Sequence, residues 1–476
     1  MRLFPKLTIC LGLILAAGCS KPAPRDTPPI ILFSIDTLRA DHLSCYGYER
    51  PTSPTLDYLA EGGVLFEETI AQAPLTAPSH MSILTSLYPP VHGIRNYGDG
   101  ILTTAALPEE IVTLPQFLRE NGYLTYGFTG GAQIDGERGF ARGFDYYGAD
   151  FLTWENDRGR HQPDPDNFGE LGKKIRQAVR RSRTEGKPLF LFLHHYLCHD
   201  PYVKGPEEIR QKFLDPPVPG LVKSAEDLDF TDNPKAVREQ FLAGADPGNP
   251  EHYRHFIALY DGGVYLSDLT LARILDLLQE EGIGEEALLV VTGDHGEEFY
   301  EHQGVFHFQL FREVLHVPLV MRFPHGKYGG QRITQTVRSI DIFPTIADYL
   351  GLAGELPPIQ GKSLLPAIAE GETFEGKPVS FSDDNEAVRF SEGNYTYSDH
   401  DRHGTPEWLF AQGDAAEANN LAKQEQEVTE EMRRRAQAIR AGTEEFRREL
   451  VGDSVPDQVT VSPEQIEQLR ALGYLN

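Results

Sequence analysis

Asp36, Thr76, Asp294 and His295 are side chains that together could activate an oxygen nucleophile. Two carboxylates, an imidazole and a hydroxyl suit one divalent cation, Ca, Mn or Zn, and a cation lowers the pKa of an oxygen acid bound to it. Thr76 opens the run Thr76-Ala77-Pro78-Ser79-His80. Proline in a first turn and threonine at the N-cap place predict a helix that starts here and reaches about Leu87. A helix start offers N–H donors and partial positive charge to a tetrahedral anion. Nearby histidines could orient an ester or protonate its leaving group. The chemistry implied is attack on a sulfur or phosphorus centre. Taken singly these signals are weak, because a carboxylate after a strand is often a cap and Thr76 alone reads equally well as one.

The elements that must position these groups are visible as short apolar runs at Ile30 to Ile35, Leu124 to Phe128, Leu189 to Leu193, Leu288 to Thr292 and Pro318 to Phe323. Continuous apolar runs are what parallel strands covered on both faces look like. Amphipathic segments such as Gly263 to Glu280 and Ile340 to Leu350 lie between them, which predicts a doubly wound, mostly parallel α/β sheet. Ligands in such sheets bind beyond the carboxyl ends of the strands. Asp36 follows one run, His194, His195 and His199 another, and Asp294 and His295 a third, so all are expected on one rim. After about residue 370 a polar stretch, alternating segments near Ala387 to Tyr397 and charged helices at Glu427 to Leu450 and Pro463 to Leu472 predict a smaller C-terminal α+β subdomain over 371–476. The catalytic domain is expected over 30–370. The basic run Arg180 to Arg183 reads as a solvated helix end.

Composition narrows the possibilities. The 476 residues carry 71 acidic and 44 basic side chains, a formal charge of -27, which argues against a nucleic-acid partner. With 40% hydrophobic residues the chain can build large cores, and disorder and multiple membrane spans are excluded. Arg2 and Lys6 precede an apolar run from Leu7 to Gly18 that is too short to span a bilayer. Small residues lead directly into Cys19, so 1–18 reads as a lipoprotein signal peptide, Cys19 as the acylated residue and 19–29 as a tether. Ser20 after that cysteine points to the outer membrane. The protein is then expected in the cell envelope, facing the periplasm or the exterior. Only Cys45 and Cys198 would remain to pair, and the sequence leaves that open.

At the residues already named, the sequence resembles the sulfatase family of the alkaline phosphatase superfamily, over nearly the whole mature chain. Ile35 to Asp41 (IDTLRAD) is similar to the family's opening metal segment, Thr76 to Pro89 (TAPSHMSILTSLYP) to its nucleophile segment, and Thr292 to Glu298 (TGDHGEE) to its second metal segment. Phe192 to Tyr202 (FLHHYLCHDPY) resembles the segment supplying an active-site histidine, here His199, and Asp341 to Thr345 a structural stretch. Asn419 to Ala422 and Leu472-Gly473-Tyr474 are similar to related bacterial proteins. The resemblance implies hydrolysis of a sulfate or phosphate ester, one metal held by Asp36, Thr76, Asp294 and His295, and catalytic roles for Thr76, His80, His199 and His307.

The chain departs from the family in ways that bear on chemistry. Most sulfatases oxidise a cysteine or serine in C-x-P-x-R or S-x-P-x-R to formylglycine, whereas Thr76 and His80 occupy those two places. An esterified threonine has no second hydroxyl with which to expel sulfate and must wait for water, the route of the superfamily's phosphoesterases, so phosphate esters are favoured. Thr37 replaces a second aspartate, and His307 falls at the spacing of a lysine, with His302 secondary. Two other classes stay open: a phosphoethanolamine-type transferase and a non-catalytic binding protein.

Overall fold

The structure is a computed structural model that describes residues 27–97, 103–149, 154–155, 161–162, 168–203, 205–229, 234–302, 304–382, 387–399, 407–452, 457–463, 465–466 and 469. The leader, Cys19, most of the tether, Leu472-Gly473-Tyr474 and most of the helix expected over Pro463 to Leu472 lie outside them. Among the described residues no helix is long and apolar enough to cross a membrane.

Eight strands form the central sheet: β1 (Ile30–Ile35), β2 (Val64–Ile70), β3 (Leu124–Phe128), β4 (Tyr146–Gly148), β5 (Leu189–His195), β6 (Leu288–Gly293), β7 (His316–Arg322) and β8 (Gln331–Arg338). Their order is β8-β2-β7-β6-β1-β5-β3-β4. All run the same way except β7, which is antiparallel to both β6 and β2. Its run was expected to look like the parallel strands, and it does, because apolarity reports burial on both faces and not direction.

Burial on two faces explains why these strands lack alternation. In β1, Ile31, Phe33 and Ile35 join one core, with Ile175 and Val179 of α3 (Phe168–Glu185) and Leu259, Leu271 and Ile274 of α5 (Pro250–Glu280). Ile30 and Leu32 join the other, with Met81 and Leu84 of α2 (Thr76–Thr85) and Phe343 and Ile346 of α6 (Ile342–Tyr349). Leu56 and Leu59 of α1 (Pro54–Gly62) and Val237 and Phe241 of α4 (Pro234–Leu242) join the first of these cores. Helix α5 begins at Pro250, not Gly263, because Asn249 caps it by accepting the Glu251 N–H and the helix runs unbroken through Gly262 and Gly263.

A second, antiparallel sheet follows in the order β9 (Val379–Phe381), β10 (Val388–Glu392), β11 (Tyr395–Ser398) and β12 (Trp408–Ala411). Its apolar face, with Phe381, Val388, Phe390 and Leu409, packs on Met432 and Ala436 of α7 (Gln426–Val451). Cys45 and Cys198 are both free thiols, and Cys198 Sγ lies 3.1 Å from Ser267 Oγ.

Candidate active site

Register brings the strand ends together. Ile35 is opposite His195 on one side and Gly293 on the other, so the residues after β1 and β6 meet at one rim beside the end of β5. The Asp36 N–H donates to the His195 carbonyl at 3.1 Å. Ligand atoms of Asp36, Asp294 and His295 lie within 4.8 Å of one another, and all three residues are buried. Strand β5 extends through both His194 and His195, and strand alternation parts them. His194 Nε2 comes 3.5 Å from Asp36 Oδ2, while His195 packs edge-on against Phe33. Thr37 follows Asp36 with φ 56°, a costly conformation for a β-branched residue, and its N–H donates to Asp294 Oδ1 at 3.1 Å.

Thr76 is the first residue of α2, a helix whose ten residues are all buried. The N-cap is Leu75 and no side chain caps the helix, which corrects the expectation that Thr76 stands there. The helix ends at Thr85, because Ser86 turns left-handed with φ 58°. The Thr76 hydroxyl donates to Asp36 Oδ2 at 3.2 Å and lies 3.4 Å from His295 Nε2. The first turn is also less open to an anion than its sequence suggests, since the Ala77 N–H donates to Asn96 Oδ1 at 2.8 Å.

The electrostatics call for a cation. Burial, and then the charge of Asp36, raise the Asp294 carboxyl well above the ordinary carboxylate range. Among the described residues no hydrogen bond reaches Asp294 Oδ2. The Asp294 Oδ1 atom accepts from the His295 N–H at 2.8 Å, and the Asp294 carbonyl accepts from Ser79 Oγ at 2.6 Å. His295 donates from Nδ1 to the Gly296 carbonyl at 2.9 Å, which leaves the Nε2 lone pair toward Thr76 and Asp294. Burial and then His307 lower its pKa to about 3, so the ring is neutral and fit to ligate. Two acidic groups, a neutral imidazole and a hydroxyl converging in this way fit one divalent ion.

The remaining histidines take distinct places. His80 is closed in behind Thr76: Nδ1 donates to the Thr76 carbonyl at 2.9 Å and lies 3.3 Å from Asp294 Oδ2, and Nε2 accepts from Ser34 Oγ at 2.8 Å. Burial, then the neighbouring His194, push its pKa well down. His199 and His307 stand together, ring centroids 5.2 Å apart, and the His307 ring is 4.5 Å from that of His295. His302 is apart from this group, stacked on Phe311 and bonded to Glu313 at 2.6 Å. Two carboxylates that carried no assigned role hold the outer pair: Glu297 Oε1 is 3.0 Å from His307 Nδ1, and Asp200 Oδ1 is 3.0 Å from His199 Nδ1. Arg238 binds Asp200 through two hydrogen bonds of 2.8 and 3.0 Å. An acid next to His199 and one two residues after His295 were the available signals.

Comparison with known proteins bears on the fold and the family. The Sulfatase family model matches residues 28–352. Iduronate 2-sulfatase of Homo sapiens is 23% identical over 415 residues, covering 73% of this chain and 74% of the relative. The multifunctional alkaline phosphatase superfamily protein PehA of Trinickia caryophylli is 26% identical over 407 residues, covering 72% and 77%. The solved phosphonate monoester hydrolase of Agrobacterium radiobacter superposes with a TM-score of 0.66 at 20% identity, over 87% of this chain and 96% of that one. A sheet of this topology, an acidic rim and a match over most of the chain lead to one conclusion: the protein belongs to the sulfatase family of ester hydrolases.

Proposed function

We propose that the protein cleaves sulfate or phosphate esters, phosphate esters first, with the Thr76 hydroxyl as nucleophile and one divalent cation, Ca, Mn or Zn, held by Asp36, Thr76, Asp294 and His295. The observation that carries this reading is Thr76 Oγ1 lying 3.2 Å from Asp36 Oδ2 and 3.4 Å from His295 Nε2. When bound, the cation supplies the positive charge that lowers the hydroxyl's pKa and neutralises the ester's oxygens. Thr76 Oγ1 gives its proton to Asp36 Oδ2, to which it already donates, and bonds to phosphorus or sulfur as the bond to the leaving alcohol breaks. The leaving oxygen takes its proton from His307 or His199; water then attacks the threonyl ester, returning a proton to that histidine, and Thr76 Oγ1 leaves as the alcohol with the proton held by Asp36. His80, shut between Ser34 and the Thr76 carbonyl, acts as a positioning residue for the nucleophile turn.

Relatives named as sulfatases support sulfate esters and the phosphonate monoester hydrolase supports phosphorus esters. The threonine tips the reading toward phosphorus, because its ester has no second hydroxyl to drive sulfate out. The test is turnover of aryl sulfates, phosphate monoesters and phosphate diesters with added Ca, Mn or Zn, in wild type and Thr76→Ala. A loss of at least about a thousandfold in Thr76→Ala is expected for a missing nucleophile. Equal rates in the two proteins on every substrate would remove Thr76 from the mechanism. The same reading places the protein at the cell envelope, tethered to the outer membrane through acylated Cys19. Cys19→Ser is expected to move it from the membrane to the soluble fraction, and membrane retention of that variant would refute the tether.

A further inference from the structure

Among the described residues, the large exposed hydrophobic side chains are Tyr58, 63% exposed, and Phe308, 56% exposed. A single exposed apolar residue is ordinary. Phe308 differs because of where it stands and how it is held. It follows His307, whose ring is fully buried, and the two rings stack at 5.5 Å and 28°. The Arg238 guanidinium lies 5.8 Å from the Phe308 ring centre and 4.8 Å from that of buried Phe306. Arg238 is itself fixed by its two bonds to Asp200, the carboxylate on His199. The backbone at Phe306 is left-handed, φ 72°, a conformation that a bulky residue keeps only where its surroundings impose it. An open aromatic face is therefore prepositioned beside the two imidazoles that face the leaving group.

We propose that Phe308 is the platform on which the ring of the leaving alcohol stacks, so that the site takes esters of flat-faced ring alcohols, aryl esters foremost. This rests on the reading of the site given above. A chain alcohol has no face to lay on Phe308, whereas a ring gains both contact area and the offset-stacking preference of aromatic pairs. Arg238 and His307 both lie against the Phe308 ring and it still stands 56% exposed, so it is held in place before a substrate arrives and little order is lost on binding.

The test reads binding, not turnover. The metal-loaded protein is titrated calorimetrically with phenylphosphonate and methylphosphonate, which share one anionic head and differ in the ring. Wild type is expected to bind the phenyl probe about tenfold more tightly. Phe308→Ala is expected to erase that preference while leaving methylphosphonate affinity unchanged, and Phe308→Trp to keep it. A preference that survives Phe308→Ala, or a wild type with none, overturns the proposal, as does an equal loss for both probes in the Ala and Trp variants alike. Thr76→Ala is titrated in parallel. A phenyl preference kept by a protein in which turnover proves independent of Thr76 separates failure of the nucleophile from failure of the platform.

Discussion

His307 Nδ1 lies 3.0 Å from Glu297 Oε1 with both side chains shut off from solvent, and among the described residues no hydrogen bond reaches the other edge of the ring, Nε2. Burial, and then the charge of Asp200, push the Glu297 carboxyl well up, while burial and then Arg238 lower His307 to about 4. Each effect opposes charge on the pair, so the pair is held neutral: the carboxyl O–H donates to Nδ1 and the ring keeps its hydrogen on Nε2. That is the hydrogen a leaving oxygen needs, and Nδ1 can take the carboxyl proton as it departs. Glu297→Gln can still donate to Nδ1 but cannot pass a proton on. It is expected to lower kcat by about 10- to 100-fold on esters of poorly acidic alcohols, and much less on nitrophenyl esters, whose leaving oxygen needs no proton. A loss of equal size across leaving groups would mean that Glu297 serves only the fold.

Asp36 and Asp294 set stability and cation affinity against each other. Their carboxylates share a buried site with His295, and like charges there are unfavourable unless a cation lies between them. Asp294→Asn relieves the repulsion and removes a ligand. In chelator the variant is expected to melt above wild type. With Ca or Mn at about a hundred times the wild-type Kd the order reverses, because ligation then adds about 2.7 kcal/mol to wild type alone. Melting curves of both proteins in the two conditions decide it, and a wild type that melts higher in chelator as well would sink the argument.

How much of this was legible beforehand can be argued residue by residue. Asp36, Asp294 and His295 could be placed on one rim because a strand covered on both faces writes its length into an apolar run, and the next residue then lies at its carboxyl end. The direction of β7 could not be read, since burial is indifferent to direction. The start of α5 was hidden because a glycine pair reads as a break, whereas Gly262 and Gly263 are there to let another backbone approach. Glu297 was invisible as a partner of His307, because a distance across ten residues is not reported by spacing along the chain, whereas Asp200 stood in view beside His199 and only its hold by Arg238 was hidden.

His302 supplies a pH dependence away from the site. Burial lowers its pKa, but the hydrogen bond and charge of Glu313 outweigh that, so the net shift is upward from the ordinary value. A histidine whose folded pKa is raised contributes stability that is fully present below its unfolded value, about 6.5, and is lost as pH rises through the folded value. The His302→Gln variant is therefore expected to melt below wild type at pH 5.5, with the gap closing toward pH 8.5. A gap that is constant with pH would assign the effect to the ring's stacking on Phe311 instead.

The same substitution at two glycines should act in opposite directions. Gly442 lies exposed in α7, and a Cβ built there meets nothing within 4 Å. Alanine at that place removes the conformational entropy penalty of a helical glycine, so Gly442→Ala is expected to stabilise by about 0.5–1 kcal/mol and leave turnover unchanged. Gly262 lies inside α5, where a Cβ would come 2.3 Å from the Arg210 carbonyl oxygen and 2.7 Å from its Cα. Those are backbone atoms of the short helix Glu207–Arg210, which cannot swing aside as a side-chain end does. The propensity gain is then outweighed by overpacking of about 1–3 kcal/mol, and Gly262→Ala is expected to destabilise. The displacement does not stay local. Arg210 Nη2 donates to the Leu197 carbonyl at 2.6 Å, and His199 lies two residues beyond, so a shifted Arg210 moves the segment that carries a proposed proton donor. Lower stability together with lower kcat in Gly262→Ala, against higher stability and unaltered kcat in Gly442→Ala, is the expected pattern. A Gly262→Ala protein that melts as wild type does would show that α5 and the short helix separate without strain, and the close approach would then have no part in placing His199.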